Sequence, residues 1–335
     1  MAKRHIIVIR FSAIGDVAIA SILLKAYALA NPDVDFTMCS TDFLEPLFTD
    51  VKNINFYPAN FSKDHNNLKY VLKFAKELYK LHPTDIADIH DVIRTKIIRN
   101  YMQFKHVNCK HLHKDRKLRK ILTKGTDYKP IIPPSLRNYE KVFLKLGLKN
   151  PEIKDTPYIK KDYSKLEPNH IFKIGISPFA AHTGKVWPID RMEEVIKNLP
   201  EDKYKIYLFG GRNDKPMLEK WEKKFSNVES LAGKFDLGKE LDYISKLDLM
   251  ISMDSGNMHL ASCVNTPVVS IWGSTHPNAG FYGWRQDPEN IIQTNLICRP
   301  CSCYGKKECK RGDFKCMTSI TPDIVLKKIH KVLGN

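Results

Sequence analysis

The residues best suited to chemistry sit where apolar runs end. Leu247–Met253 is a short apolar run that stops at Asp254, Ser255 and Gly256 break it, and Met258–Val264 then carries apolar residues at helical spacing. This pattern puts Asp254-Ser255-Gly256 at the carboxyl end of a strand, where an open α/β sheet forms its ligand crevice. The first amides of the following helix have no intrahelical partner. The backbone of Ser255, Gly256 and Met258 therefore suits a phosphate, and His259 could add a donor. An ordinary strand-to-helix turn capped by Asp254 fits the same spacing. Two more stretches share the design. His5–Phe11 is a β-branched strand run, Ser12–Asp16 its loop, and Val17–Ala30 a helix with Ile19, Leu23, Ala26, Tyr27 and Ala30 on one side. Asp16 there suits a helix cap. Phe172–Ser177 begins a second half and runs into a loop with Lys185 just before Trp187-Pro188, where a surface lysine is the plain reading.

The elements that must hold these residues alternate strand and helix. Strands are expected at Asp35–Ser40, Asn55–Tyr57, Asp85–Ile89, Tyr204–Phe209 and Asn290–Thr294. Helices are expected at Phe43–Phe48, Leu68–Leu81, Val92–Tyr101, Leu136–Leu146, Ile189–Leu199, Leu237–Leu247 and Pro322–Leu333. Such alternation implies mainly parallel sheets covered by helices. With 335 residues, two cores are the default, and the Pro- and Lys-rich stretch Asn150–His170 is the expected linker. Gly210-Gly211 lets backbone approach a ligand, and Asp214 beyond it is a candidate ribose-binding residue. The N-terminus imitates a secretory signal, but Arg10 and Asp16 interrupt its apolar part, so a cytoplasmic strand and helix is the better expectation. No run reaches the ~18 apolar residues of a membrane span.

The formal charge of +17 is unevenly placed. Between His90 and Gly125 eleven Lys or Arg face only Asp91 and Asp115, a net of +9. Arg94, Arg99, Arg116, Lys117, Arg119 and Lys120 are its candidate contacts to an anionic surface, although a solvated basic helix has the same composition. Five of the eight cysteines crowd into Cys298, Cys301, Cys303, Cys309 and Cys316. A structural zinc site, reduced packing thiols and disulfides all remain open, since five ligands exceed the four zinc takes. No Gly-x-Gly-x-x-Gly or Walker sequence is present, which leaves hydride transfer and kinase chemistry unsupported. A basic nucleic-acid-binding protein is the competing class, but the basic residues are barely interleaved with aromatics.

A longer pattern narrows the reading. Asp254-Ser255-Gly256-x-Met258-His259-Leu260-Ala261, then Pro267-Val268-Val269 and Trp272-Gly273-Ser274-Thr275-x-Pro277, resembles the nucleotide-sugar segment of the heptosyltransferase family of glycosyltransferases, family 9. Arg10-Phe11-Ser12-Ala13-Ile14-Gly15-Asp16 is similar to that family's N-terminal signature, in which the Asp is the proposed general base. Lys185 matches the lysine that precedes Trp-Pro and contacts the donor phosphates. Ala180-Ala181 stands where some members carry a threonine pair, so Ser177, His182 or Thr183 would have to replace those hydroxyls. Some members also carry a Cys-rich segment before the last helix.

The resemblance implies an α/β fold of the GT-B type, two Rossmann-like domains facing across a cleft. Residues 1–155 would form the acceptor side with the basic segment 90–125, 156–170 the linker, 171–320 the nucleotide-sugar domain and 321–335 a closing helix. It further implies an inverting, metal-independent transferase. The donor would be ADP-heptose and the acceptor an acidic, lipid-linked lipopolysaccharide core at the inner face of the inner membrane. Asp254 would bind donor sugar hydroxyls, and Lys185, Ser255, Gly256, Met258 and His259 the donor phosphates. The alternatives within the class are a GT-B transferase or epimerase using a UDP- or GDP-sugar.

Overall fold

A computed structural model of the chain describes residues 3–59, 61, 67–153, 158–164, 166–167 and 169–334. Residues 154–157, 165 and 168 of the expected linker lie outside these. The chain divides into two compact units, Met1–Lys114 with Ser135–Lys154, and Asp115–Pro134 with Asp155–Asn335.

The first unit is built on β1 (Arg4–Ile9), whose Ile6, Ile7, Val8 and Ile9 are fully buried. A strand covered on both faces is apolar throughout rather than alternating, as HIIVI is. β2 (Val34–Ser40) and β3 (Ile54–Pro58) lie on one side of β1. β4 (Asp85–Asp88) and β5 (Asn108–His111) lie on the other, and every pairing is parallel. The winding direction thus reverses between β1 and β4, and at such a reversal adjacent connections part and open a crevice at the strands' carboxyl ends. α2 (Leu68–Tyr79) and α3 (Ile93–Phe104) pack on each other, and α1 (Ile14–Ala30) packs on α5 (Ser135–Lys145).

Two expectations change here. α1 starts at Ile14 with Ala13 as its cap, so Asp16 is not the cap but the third helical residue. Gly15, a weak helix former, hid that first turn from the periodicity. Arg99, expected on a basic surface, is buried instead. Its Nη1 donates to Asp88 Oδ2 at 2.7 Å and lies 3.6 Å from Asp91. Asp88 also accepts the backbone N–H groups of His90 and Asp91, so Arg99 neutralises the carboxylate around which the loop after β4 is folded.

The second unit repeats the plan. The sheet runs β11 (Ile291–Gln293), β10 (Val268–Trp272), β9 (Leu249–Met253), β6 (Phe172–Ser177), β7 (Tyr204–Leu208), β8 (Val228–Ser230), again all parallel, with the reversal between β6 and β9. Around it lie α6 (Ile189–Lys197), α7 (Lys215–Lys224), α8 (Leu237–Ser245), α9 (Gly256–Cys263), the single turn α10 (Lys315–Thr318) and α11 (Pro322–Leu333). α11 packs on α6, and Val325, Ile329 and Leu333 enter the same core as Trp187 and Trp221. β5 and β8 escape the periodicity because one is the polar edge strand Asn-Cys-Lys-His and the other only three residues long.

The basic segment expected at 90–125 of the N-terminal half divides between the two units. α3 and β5 belong to the first unit. α4 (Arg116–Leu122) belongs to the second, because its apolar side, Leu118 and Leu122, packs with Ile132, Ala279 and Phe281. Beside Ala279, the half-buried His276 accepts the Asn278 N–H on Nδ1 at 3.1 Å and caps the turn Pro277–Ala279. Among the described residues no helix is long and apolar enough to cross a membrane.

Burial, with the nearby Arg299 and Lys129 cations, pushes the His276 imidazole down from its ordinary value to about 4. Between about pH 6.5 and pH 4 the unfolded chain therefore takes up a proton that the folded chain refuses, and stability falls as pH falls. His276→Asn keeps a capping acceptor and removes the titration. Its melting temperature should fall less than the wild type's between pH 7 and pH 4.5, and an identical fall would remove His276 from the acid response.

Candidate functional site

In the second unit the loops after β6 and β9 meet at the reversal point. Asn257 of α9 donates from Nδ2 to Ser177 Oγ at 2.7 Å and ties the two loops together. Lys185, in the single turn Thr183–Lys185, reaches Asp254 with Nζ 2.8 Å from Oδ2, and both side chains are largely buried. Thr275 Oγ1, from the loop after β10, donates to the same Asp254 oxygen at 2.8 Å. Trp187 explains why a lysine two residues upstream is so well placed. Its ring is fully buried, its Nε1 donates to Ile320 O at 3.2 Å, and its backbone N–H reaches Met253 Sδ at 3.4 Å, directly beside Asp254.

The helix α9 begins at Gly256 with Ser255 at its cap, and no side chain caps it. Its first amides thus present donors beside the Lys185–Asp254 pair, the arrangement that favours an anion. Ser255 Oγ is 3.1 Å from Ser252 Oγ. Gly256 and Asn257 are half-buried, whereas Met258 is fully buried and His259 is also buried.

Sequence reasoning missed three supports of this loop set. Arg299 is buried and donates to Thr275 O at 2.9 Å, to Gln293 Oε1 at 3.2 Å and to Gly273 O and Thr294 O. Burial lowers its pKa to about 10, which still leaves it charged near neutrality. Gly305 has φ +78°, and a Cβ there would lie 2.7 Å from Lys185 Cγ. Gly184 packs so closely that a Cβ would collide with Ser274, whose N–H bonds Gly184 O at 2.9 Å. The Arg299–Gly305 stretch sits in the cysteine segment, so that segment forms the floor under Lys185.

In the first unit Asp16 lies at the other reversal point, on the first turn of α1. Arg10 pairs with its Oδ2, and Tyr139 Oη of α5 donates to Oδ1 at 2.9 Å. About a quarter of the Asp16 side chain is open to solvent. His90, from the loop after β4, accepts the Phe11 N–H at 3.4 Å. Burial first, then Arg10 and Lys114, push its imidazole down to about 3, so it is neutral at any working pH.

The remaining candidates have local partners. Asp214 Oδ2 accepts the Gly211 N–H at 2.8 Å and closes the turn that leads into α7. Of the six basic residues, Arg116, Lys117 and Lys120 are exposed. Arg94 stacks on Phe61 and Phe11, with its guanidinium 4.7 and 5.7 Å from the ring centroids, and Arg119 donates to Tyr304 Oη at 2.6 Å and stacks on Phe281. All five clustered cysteines are free thiols. Cys298, Cys301, Cys309 and Cys316 line a common cavity, whereas Cys303 Sγ points to Arg119 O at 3.7 Å. The five-cysteine zinc set is therefore not formed, and among the described residues no three His, Cys, Asp or Glu are grouped as metal ligands.

Comparison with known proteins places this geometry. The family model for glycosyltransferase family 9 (heptosyltransferase) matches residues 122–311, more than half of the chain. Lipooligosaccharide heptosyltransferase 2 of Haemophilus influenzae is 28% identical over 167 residues, 48% of this chain and 47% of that protein, so the chain spans about half the length of this curated relative. Among solved structures, the family 9 glycosyl transferase of Veillonella parvula superposes with a TM-score of 0.73 at 20% identity, covering 98% of this chain and 97% of that one. The Escherichia coli ADP-heptose lps heptosyltransferase II superposes with a TM-score of 0.70 at 17% identity, covering 98% of each chain. At these identities the likeness is one of fold, the GT-B kind with two parallel α/β sheets. With the family model spanning both sides of the Lys185–Asp254 pair, the chain belongs to glycosyltransferase family 9, the heptosyltransferase family.

Proposed function

We propose that this protein is an inverting heptosyltransferase that moves a heptose from ADP-heptose to an acidic, lipid-linked lipopolysaccharide-core acceptor. The observation that carries the reading is the Lys185–Asp254 pair, 2.8 Å apart beside the uncapped start of α9. A sugar leaving its nucleotide diphosphate puts growing negative charge on the β-phosphate, and donors fixed in advance at that position lower the barrier. Lys185 and the uncapped first amides of α9 supply those donors, and no step of this reading is assigned to a metal ion. Asp254, anchored by Thr275 and Lys185, orients the lysine and offers its carboxylate to donor sugar hydroxyls.

Asp16 takes the other half of the reaction. The acceptor hydroxyl gives its proton to the Asp16 carboxylate as its oxygen bonds to the anomeric carbon. The bond from that carbon to the β-phosphate oxygen breaks, and ADP leaves with the electron pair. Attack opposite the leaving group inverts the anomeric centre. The relatives support this choice of donor and acceptor, since one is named for ADP-heptose and lps and the other for lipooligosaccharide. The exposed cations Arg116, Lys117 and Lys120 of α4 support an anionic membrane surface as the place where the acceptor is met, on the cytoplasmic side where nucleotide sugars are available.

Two substitutions separate the roles. Asp16→Asn should lower kcat by roughly 10²-fold or more while ADP affinity stays unchanged, and Lys185→Ala should weaken ADP binding about tenfold or more by calorimetry. Full turnover in the first variant, or unaltered affinity in the second, contradicts the respective assignment. Replacing Arg116, Lys117 and Lys120 together by Gln should reduce sedimentation with vesicles containing acidic lipid and leave ADP binding intact. Equal sedimentation would remove α4 from membrane contact.

A further inference from the structure

Asp16 is held by two groups that lie far from it in sequence or on another element. Arg10 closes β1, and its guanidinium is fixed by donation to Ile89 O at 2.9 Å while it pairs with Asp16 Oδ2. Tyr139 sits in α5, 123 residues away, 2% exposed, with its hydroxyl 2.9 Å from Asp16 Oδ1 and its ring 5.6 Å from the Arg10 guanidinium. The Ala13 N–H approaches Oδ2 at 3.5 Å. Each carboxylate oxygen therefore has its own donor, and the donors come from different elements.

A short acidic side chain on the first turn of a helix turns freely about two bonds when it faces solvent. A general base that turns freely spends most of its time misdirected, and misplacement by about 1 Å can cost on the order of 10²-fold in rate. We propose that Tyr139 is a positioning residue for the acceptor-activating carboxylate: its hydroxyl and the Arg10 guanidinium clamp Asp16 from two sides and leave one edge open toward the acceptor. This rests on reading Asp16 as the general base.

The clamp has two opposed effects. A donated hydrogen bond stabilises the charged carboxylate and so makes it a weaker base, while it fixes the direction in which the carboxylate accepts a proton. Proton transfer responds only fractionally to basicity, whereas orientation multiplies the rate directly, so orientation dominates. A phenylalanine would fill the same buried space, so the hydroxyl alone is removed by Tyr139→Phe.

The expected result for Tyr139→Phe is a roughly tenfold lower kcat with an unchanged KM for the donor. The acid limb of its kcat–pH profile should move to higher pH, because the carboxylate has lost a donor to its charged form. Melting temperature and ADP affinity serve as fold controls. Because Tyr139 acts through Asp16, the substitution should cost nothing further in an Asp16→Asn background. An unchanged kcat and acid limb, or an equal loss in both backgrounds, overturns the inference while leaving the general base in place. Full turnover of Asp16→Asn alone overturns the general-base reading, and the role of Tyr139 falls with it.

Discussion

The ion pair between Lys185 and Asp254 is the constraint on which the second unit's site depends. A nearly buried lysine and carboxylate are costly to desolvate separately, and their attraction compensates only when both are held in good geometry. The surrounding residues supply that geometry. Trp187 pins the lysine's loop into the core beside Met253, Thr275 fixes the carboxylate, and Arg299 fixes Thr275 through its carbonyl. Gly305 leaves room for the lysine's stem. The pair keeps the lysine ordered at the carboxyl end of the sheet. On the proposed function, a diphosphate arriving at α9 would meet an ammonium already in place rather than one that must be immobilised on binding.

Topology explains why chemistry-bearing residues appear where they do. Both sheets are wound outward in two directions from a central strand pair, β1 with β4 and β6 with β9. Where the direction reverses, the loops at the carboxyl ends separate and leave a concavity that neighbouring strands do not offer. Asp16 and His90 flank that point in one unit, and Lys185 and Asp254 flank it in the other. The two sites differ in electrostatics. One presents an uncapped helix start with a lysine, suited to an anion. The other presents a carboxylate between a guanidinium and a phenol, suited to accepting a proton.

Much of this was legible from patterns of apolar residues. The runs HIIVI, FKIGIS and LMISM read as strands because each carries a stretch of at least four buried residues in a row, and the polar residues just beyond them are at strand ends by necessity. The start of α1 was displaced by Gly15, which altered the local role of Asp16 from cap to third helical residue. Long-range partnerships were not legible at all. Tyr139, Arg299 and Gly305 reach the sites through packing of segments tens to more than a hundred residues distant, and nothing in their local spacing marks them. The basic segment misled for a related reason. Charge count does not distinguish Arg99, buried against Asp88, from Lys117, open to solvent, because only the packing of α3 and α4 decides which way each side chain turns.

The most direct test of the central claim is a crystal structure with ADP bound. The expected result is β-phosphate oxygens about 2.7–2.9 Å from Lys185 Nζ and within hydrogen-bonding distance of an amide in the first turn of α9. A diphosphate bound elsewhere, with Lys185 still paired only to Asp254, would contradict it.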